Sequence, residues 1–529
     1  MKWITEHIKV LCNKRTLYFL CVLALNYIEF LRSTGTGDVW KAATNCIGLV
    51  MMVIIFSNYP IKNFLNKLNY IYTAFCIIAM IVIRFHWGRH VGEYYLWQVE
   101  IAVLNIWWIG IMLRYLFEQV VITKQMKIRI GVLGWLWIAM VAWSVIGGSK
   151  MVWPLWFLFI FGFFYITKFS KEDWNALVNA LVNGTICSFF AIQSYAYLFR
   201  PYDEVRYKGA FVNCNSMALY YMIVYVMILS KLHQLHMKKA KIGWKLFYFL
   251  GAGGLLAFQF LTVCRTAWIA SIVITIAYGF VVLRNKWKDS FIKIFLRGCA
   301  LALCATITFF PVFYSVRYLP AIHPHPIWHT GDPYSEYKVH SWDPIDSETY
   351  VEMHEFLEVA LGRINHMLKD FHISNLFVIR ANAKEAVTYV EDSHLDFRYD
   401  SFKLRLEMWK TYLKESTLFG HSIEAENFAL RSSNARVWHA QNVWVQFTYT
   451  YGIPVGVLFV VMTILLLFET YRYGKRNDEF YGIIPFIVCV SFFVFGLTEL
   501  VWNSGQYILT IFFFVLHPQF WKVIEGEKV

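Results

Sequence analysis

The chain consists of long apolar runs separated by short polar segments. A membrane-spanning helix needs roughly 17 to 25 mainly apolar residues, and about fourteen runs approach that length. The runs that we predict to span a membrane are 17–31, 42–57, 70–84, 95–114, 130–147, 151–167, 175–199, 211–230, 246–263, 266–283, 295–314, 442–468, 481–498 and 506–519. The pattern predicts an all-α polytopic membrane protein. Because several of the runs are short, the predicted number of transmembrane helices is about 12 to 14.

One long polar segment, 315–440, interrupts this pattern, and two parts of it show the spacing of amphipathic helices. The first follows Ser347, a residue type that caps helices, and its stripe holds Val351, His354, Leu357, Leu361, Ile364 and Leu368. The second covers 401–416, with Phe402, Leu406, Trp409 and Leu413 on one stripe and Arg405 and Tyr412 on another side. We therefore divide the chain into an N-terminal transmembrane bundle (1–314), a loop region (315–440) and C-terminal helices that complete the bundle (441–529).

Composition and charge narrow the class of protein. A hydrophobic content of 58% excludes a soluble protein of this length. The net charge of +14 would indicate nucleic acid in a soluble chain, but here it follows membrane orientation, so we expect no nucleic-acid partner. One basic cluster, 2–15, precedes the first span, and later clusters recur after every second span, around 62–67, 124–129, 168–171, 231–245, 284–293 and 472–476. The positive-inside rule makes these clusters cytoplasmic and places the large 315–440 loop outside.

The ten cysteines lie in or beside apolar runs, so we expect neither a disulfide framework nor a metal cluster.

Three short polar motifs fall on the predicted outer face, within 206–211, 264–268 and 438–442. Arg265 stands between two apolar runs, where its guanidinium can form paired hydrogen bonds to phosphate; its alternative role is to anchor to lipid headgroups. Arg206, with Lys208 beside it, either joins that phosphate site or belongs to a solvated charge run. His439 can remove a proton from a hydroxyl group, or it is a hydrogen-bonded interfacial histidine.

Glu499 also falls at the outer end of a predicted span. We see no series of carboxylates at the depth of the membrane centre, which a proton-driven carrier would be expected to use. This favours an enzyme over a transporter.

Across Arg206 to Glu499, the pattern resembles the O-antigen ligase and O-antigen polymerase family of bacterial envelope enzymes. The resemblance rests on motifs in a common order: Arg206, Gly209, Phe211 and Asn215; Arg265 in a Cys-Arg-x-Ala turn; and Arg405, Trp409, Gly420, His439 and Asn442. Gln441 stands where the family motif often has a second histidine, and Ser422 replaces an expected glycine.

The resemblance implies a glycan transferase of the bacterial inner (cytoplasmic) membrane whose active site faces the periplasm or the cell exterior. The donor would be an oligosaccharide on undecaprenyl diphosphate and the acceptor another glycan, with no metal and no other cofactor. Arg206 and Arg265 would bind the diphosphate, and His439 would deprotonate the acceptor, giving inversion at the anomeric carbon. Further substrate contacts are expected from Lys208, Asn215, Arg405, Asn442 and Glu499.

Other functions stay open at this stage. Within the family, a polymerase joins repeat units to one another, whereas a ligase joins the glycan to lipid A core. The lysine-rich, cysteine-containing composition is typical of Gram-positive proteins, and because Gram-positive bacteria have no lipid A, it favours a polymerase. A second class is a flippase or other transporter of lipid-linked oligosaccharides. A third is a sensor or scaffold that binds a partner through the outside loop.

Overall fold

The computed structural model describes residues 13–34, 37–58, 64–87, 93–124, 130–147, 169–198, 202–203, 206–211, 213–322, 353–370, 401–421, 428–429, 436–437, 440–476 and 480–499. These residues form fifteen α-helices. They are α1 (Lys14–Thr34), α2 (Gly37–Phe56), α3 (Lys67–Trp87), α4 (Glu93–Phe117), α5 (Val132–Ile146), α6 (Lys171–Ala196), α7 (Cys214–Met237), α8 (Ile242–Leu261), α9 (Arg265–Tyr278), α10 (Phe291–Ile322), α11 (Met353–Asp370), α12 (Ser401–Lys414), α13 (Val443–Tyr451), α14 (Ile453–Arg476) and α15 (Ile484–Gly496). Two antiparallel pairs of short strands join them: β1 (Tyr202–Asp203) with β2 (Arg206–Tyr207), and β3 (Phe428–Ala429) with β4 (Arg436–Val437).

Seven of the described helices are long and apolar enough to cross a membrane, which makes the chain a helical membrane protein. They are α3, α6, α7, α8, α9 with its π-helical continuation to Lys286, α10 and α14. The predicted total of 12 to 14 spans stays a prediction, and the predicted spans 151–167 and 506–519 lie outside the described residues.

Helix α7 is central to the bundle, since 78% of its most apolar stretch is buried, against 11% for α3 and 22% for α10. It packs against α6, α8, α9 and α15. A buried hydrogen-bonded chain ties this core to the strand β2: Tyr221 Oη donates to Gln193 Oε1 at 2.6 Å, and Gln193 Nε2 donates to Tyr207 Oη at 2.9 Å. Because buried polar groups need partners, this chain holds Tyr207, and with it the neighbouring Arg206, in place.

The prediction of one continuous span over 442–468 is wrong, because the chain forms two helices, α13 and α14, separated at Gly452. Gly452 has a φ of 102° and Gly420 a φ of 79°, which L side chains rarely adopt. The two glycines also meet: a Cβ on Gly420 would lie 2.5 Å from the Gly452 nitrogen and the Thr450 carbonyl oxygen. Gly452, followed by Pro454 in the first turn of α14, ends α13 locally, and Gly420 packs against this break.

Both amphipathic helices of the loop are present as α11 and α12. Leu357 and Trp409 of the predicted stripes pack against buried clusters, but the fully buried residues lie beside the stripes. On α11 the fully buried residues are Phe356 and Ala360. On α12 they are Met408 and Tyr412, whereas Leu413 of the predicted apolar stripe is 49% exposed. The neighbouring helices decide which face packs: Phe356 meets aromatic rings of α8 and α10, and Tyr412 meets a tyrosine of α13. Ser347 and Ser422 lie outside the described residues.

Candidate functional site

Several helix ends converge at one end of the bundle. The Thr266 hydroxyl, in the first turn of α9, shares a hydrogen bond with the Thr498 hydroxyl just after α15. Asn442, the N-cap of α13, donates from Nδ2 to the Leu497 carbonyl oxygen at 3.1 Å. Helix α7 also begins here, because Asn215 in its first turn forms a hydrogen bond with Glu499, the residue after Thr498. We call this the arginine end, after Arg206, Arg265 and Arg363.

Arg206 is held in a defined orientation at the arginine end. Its Nε donates to the Thr262 carbonyl oxygen at 3.2 Å, and one terminal nitrogen donates to Asn215 Oδ1 at 2.8 Å. The turn that follows depends on Gly209, which has a φ of 53° and at which a Cβ would lie only 2.7 Å from Met217 Cε. Two of the guanidinium nitrogens are thus engaged, and the fork is pre-oriented.

Glu499 continues this chain of polar contacts. Asn215 Nδ2 donates to Glu499 Oε1 at 2.9 Å, and a terminal nitrogen of Arg405 lies 3.9 Å from the same oxygen. Burial raises the pKa of Glu499 to about 7, although the positive charges of Arg405 and Arg206 act in the opposite direction. Arg206, Asn215, Glu499 and Arg405, which the sequence places far apart, therefore form one connected group.

A third guanidinium, Arg363 of α11, lies in this group, and the sequence interpretation missed it. Burial, together with the positive charges of Arg206 and Arg265, lowers the pKa of Arg363 to about 10. Arg363 is therefore near both of the other arginines. Arg363 follows Phe356 by seven residues and Ala360 by three and so shares their helix face, but only the structure shows that this face is the buried one.

The turn before Arg265 is strained. Val263 is fully buried and has a φ of 49°, which is rare for a β-branched residue. Such strain persists where the surroundings impose it, often at functional sites. The turn brings α8 to an end and starts α9 at Arg265, so the positive end of the α9 dipole adds to the arginine charges.

Two of the predicted substrate contacts are occupied within the protein. Asn442 Oδ1 accepts from the backbone nitrogens of Trp444 and Val445 at 3.0 and 3.1 Å, while its Nδ2 holds Leu497. Lys208 is only 4% exposed. Asn442 therefore holds the start of α13 against the segment that carries Glu499.

His439 lies outside the described residues. The next residue, Ala440, is buried in a cluster with Met408, Tyr412 and Tyr449, and its backbone nitrogen donates to Gln446 Oε1 at 2.8 Å. Asn442, whose side chain contacts the segment that carries Glu499, therefore follows the predicted catalytic histidine by three residues in sequence.

This arrangement concentrates positive charge around one carboxyl group at the end of an apolar bundle, and such a site suits a ligand with several negative charges. A scan against protein-family models gave no match for this chain, and comparison with curated proteins gave none either.

Proposed function

We propose that this protein is an integral membrane glycan transferase. It takes an oligosaccharide from undecaprenyl diphosphate at the outer face of a bacterial cytoplasmic membrane and joins it to an acceptor glycan, as polymerases of O-antigen or capsule type do. The observation that carries the proposal is the grouping of Arg206, Arg265 and Arg363 at one end of an apolar helical bundle. A polyprenyl carrier can stay in the bilayer while its diphosphate meets these cations.

The arginines stabilise the leaving group. Breaking the bond between the anomeric carbon and the diphosphate oxygen leaves additional negative charge on the diphosphate. Guanidinium groups that are already oriented stabilise this charge in the transition state without costly reorganisation. Arg206 meets this condition through its bonds to Thr262 and Asn215.

His439 acts on the acceptor. It takes the proton of the acceptor hydroxyl group, whose oxygen attacks the anomeric carbon from the side opposite the diphosphate. One carbon–oxygen bond forms as the other breaks, so the configuration inverts and undecaprenyl diphosphate leaves. Arg405, Glu499, Asn215 and Lys208 contact the substrates beside the arginines, and Asn442 holds the surrounding backbone.

The test compares His439→Ala and Arg265→Lys with wild type in cells, with protein levels checked. Arg265→Lys keeps the charge but loses the fork that pairs with phosphate oxygens. Electrophoresis of lipid-linked and surface glycans should show single repeat units accumulating on the carrier and long chains lost in both variants. His354→Ala, which removes an exposed histidine of α11, is the control and should behave as wild type.

Other outcomes distinguish the remaining functions. Full-length chains left on undecaprenyl diphosphate would indicate a ligase that transfers to lipid A core. Lipid-linked repeats trapped on the cytoplasmic leaflet would indicate a flippase. Unchanged glycans in both variants would contradict a role of these residues in transfer and favour a sensor or scaffold.

A further inference from the structure

A cavity of about 810 Å³ opens between α7, α8, α9 and α10 at the end of the bundle opposite the arginine end. Its lining comes from the last turns of α7, the first half of α8, the last part of α9 with its continuation, and the first half of α10. Most of the lining is apolar, and Ile276 and Phe295 are 52% and 70% exposed. In a membrane protein such a surface faces the hydrocarbon chains of lipids.

Basic side chains lie at one end of this cavity. Lys245 and Arg297 line it, and Arg297 lies 3.1 Å from a carboxylate oxygen of Asp289 with its guanidinium 4.9 Å above the Trp287 ring. His236, which also lines the cavity, stacks on Trp287. The indole ring and the ion pair hold the Arg297 guanidinium at the rim.

The surrounding segment is strongly cationic. Asp289 is the only acidic residue in the sequence between Lys231 and Arg297. The basic residues of that stretch near this end are Lys231, Lys238, Lys239, Lys241, Lys245, Arg284, Lys286, Lys288, Lys293 and Arg297. One carboxylate among so many cations leaves a positive rim above an apolar wall, and that combination matches an anion attached to hydrocarbon.

Tyr278 adds an independent feature. It lines the cavity, is only 6% exposed, and its hydroxyl has no hydrogen-bond partner among the described residues. Buried hydroxyl groups without partners are costly and therefore rare. An ester or phosphate oxygen of a bound lipid would accept a hydrogen bond from this hydroxyl.

We propose that this cavity binds an anionic glycerophospholipid of the surrounding bilayer. The phosphate lies against Lys245 and Arg297, Tyr278 donates to an oxygen of the lipid, and the acyl chains follow the apolar wall of α8 to α10. The site is separate from the arginine end and does not depend on the glycan transfer proposed above.

The experiment is native mass spectrometry of the purified full-length protein in neutral detergent, with phosphatidylglycerol or phosphatidylcholine of identical acyl chains as the probe. Wild type should retain phosphatidylglycerol at least roughly tenfold better. Lys245→Gln combined with Arg297→Gln should abolish this preference. Lys475→Gln combined with Arg476→Gln removes the same two charges from exposed positions of α14, outside this stretch, and should leave the preference unchanged.

A second variant tests the cavity without altering its charge. A Cβ on Gly298, a lining residue within α10, meets nothing within 4 Å, so Gly298→Leu should fill the cavity without disturbing the backbone and should abolish retention of both lipids. Gly254→Leu, at an equally open position of α8 that does not line the cavity, is the control.

The proposal is overturned if wild type retains both lipids equally. It is also overturned if Gly298→Leu retains phosphatidylglycerol as wild type does, since the lipid then binds elsewhere.

Discussion

Glu499 is the residue on which the contacts of the arginine end depend. It accepts a hydrogen bond from Asn215, pairs with Arg405 and has a pKa of about 7 because burial opposes its ionisation. Near neutral pH, a fraction of this carboxyl group is protonated. An anion bound beside it would favour the protonated form further, so Glu499 can adjust the net charge of the site to its ligand.

The raised pKa of Glu499 makes stability depend on pH. A carboxyl whose pKa is higher in the folded state binds its proton more tightly there, so its contribution is fully present below the ordinary pKa of 4.5 and is lost as pH rises through about 7. The difference amounts to about 3 kcal/mol. Thermal unfolding of the purified protein should therefore show the melting temperature of wild type falling between pH 5 and pH 8.

The Glu499→Gln variant should lose most of this decline. Glu358→Gln, which changes an exposed carboxylate of α11, should keep it. A decline of equal size in wild type and Glu499→Gln would show that another group causes the pH dependence.

Arg363 provides a test of the three-arginine group. Replacing Arg363 with Gln removes one charged hydrogen-bond donor from the proposed diphosphate site, and such bonds contribute roughly 1.5–3 kcal/mol. Glycan transfer, measured with lipid-linked substrate in membranes, should fall by roughly tenfold to a hundredfold. The control is Lys410→Gln, at an exposed position of α12, and equal activity in the two variants would exclude Arg363 from the site.

At the scale of elements, the segment 417–421 connects three parts of the bundle. The Ile453 nitrogen, in α14, donates to the Thr417 carbonyl oxygen at 3.0 Å, and the Trp143 indole of α5 donates to the Leu418 carbonyl oxygen at 3.0 Å. Phe419 stacks on Trp143 with ring centroids 5.6 Å apart. This segment therefore couples α12, which carries Arg405, to the transmembrane helices.

The Gly420 contact should be sensitive to a single methyl group. In Gly420→Ala, the unfavourable backbone conformation alone costs roughly 1–3 kcal/mol, and the new Cβ would press on the backbone of Thr450 and Gly452. We expect a lower melting temperature and less folded protein by size-exclusion chromatography. Gly362→Ala, at an open position in α11, should leave both unchanged; a wild-type melting temperature in Gly420→Ala would contradict this close approach.

At the scale of the whole molecule, two groups of basic residues lie at opposite ends of the same helices. The rim formed by Lys245 and Arg297 lies at one end of the bundle, and Arg206, Arg265 and Arg363 lie at the other. The positive-inside rule assigns the lysine-rich end to the cytoplasm, which leaves the arginine end for the outer face.

This orientation can be measured with cysteine labelling. In intact cells, or in spheroplasts where an outer membrane is present, a membrane-impermeant maleimide should label Lys410→Cys and leave Lys239→Cys at the wild-type background. Both positions are exposed, so accessibility within the protein does not distinguish them. Both should react after the membrane is permeabilised, which is the control. Labelling of Lys239→Cys alone before permeabilisation would reverse the orientation and contradict transfer at the outer face.

The sequence by itself determined the helical membrane class and the positions of most helices, because the length and hydropathy of each apolar run decide whether it can span a bilayer. It also identified Arg206 and Glu499 at the outer ends of predicted spans, and the family resemblance added Asn215 and Arg405; the structure brings these four together.

Only the tertiary structure decided which helix faces pack and that Arg363 joins the other arginines. Both depend on partners far away in the chain, as when Phe356 of α11 packs on α8 and α10. Periodicity shows which residues share a helix face, but the face that is buried is chosen by the neighbouring elements, because side chains pack to fill the space those elements leave.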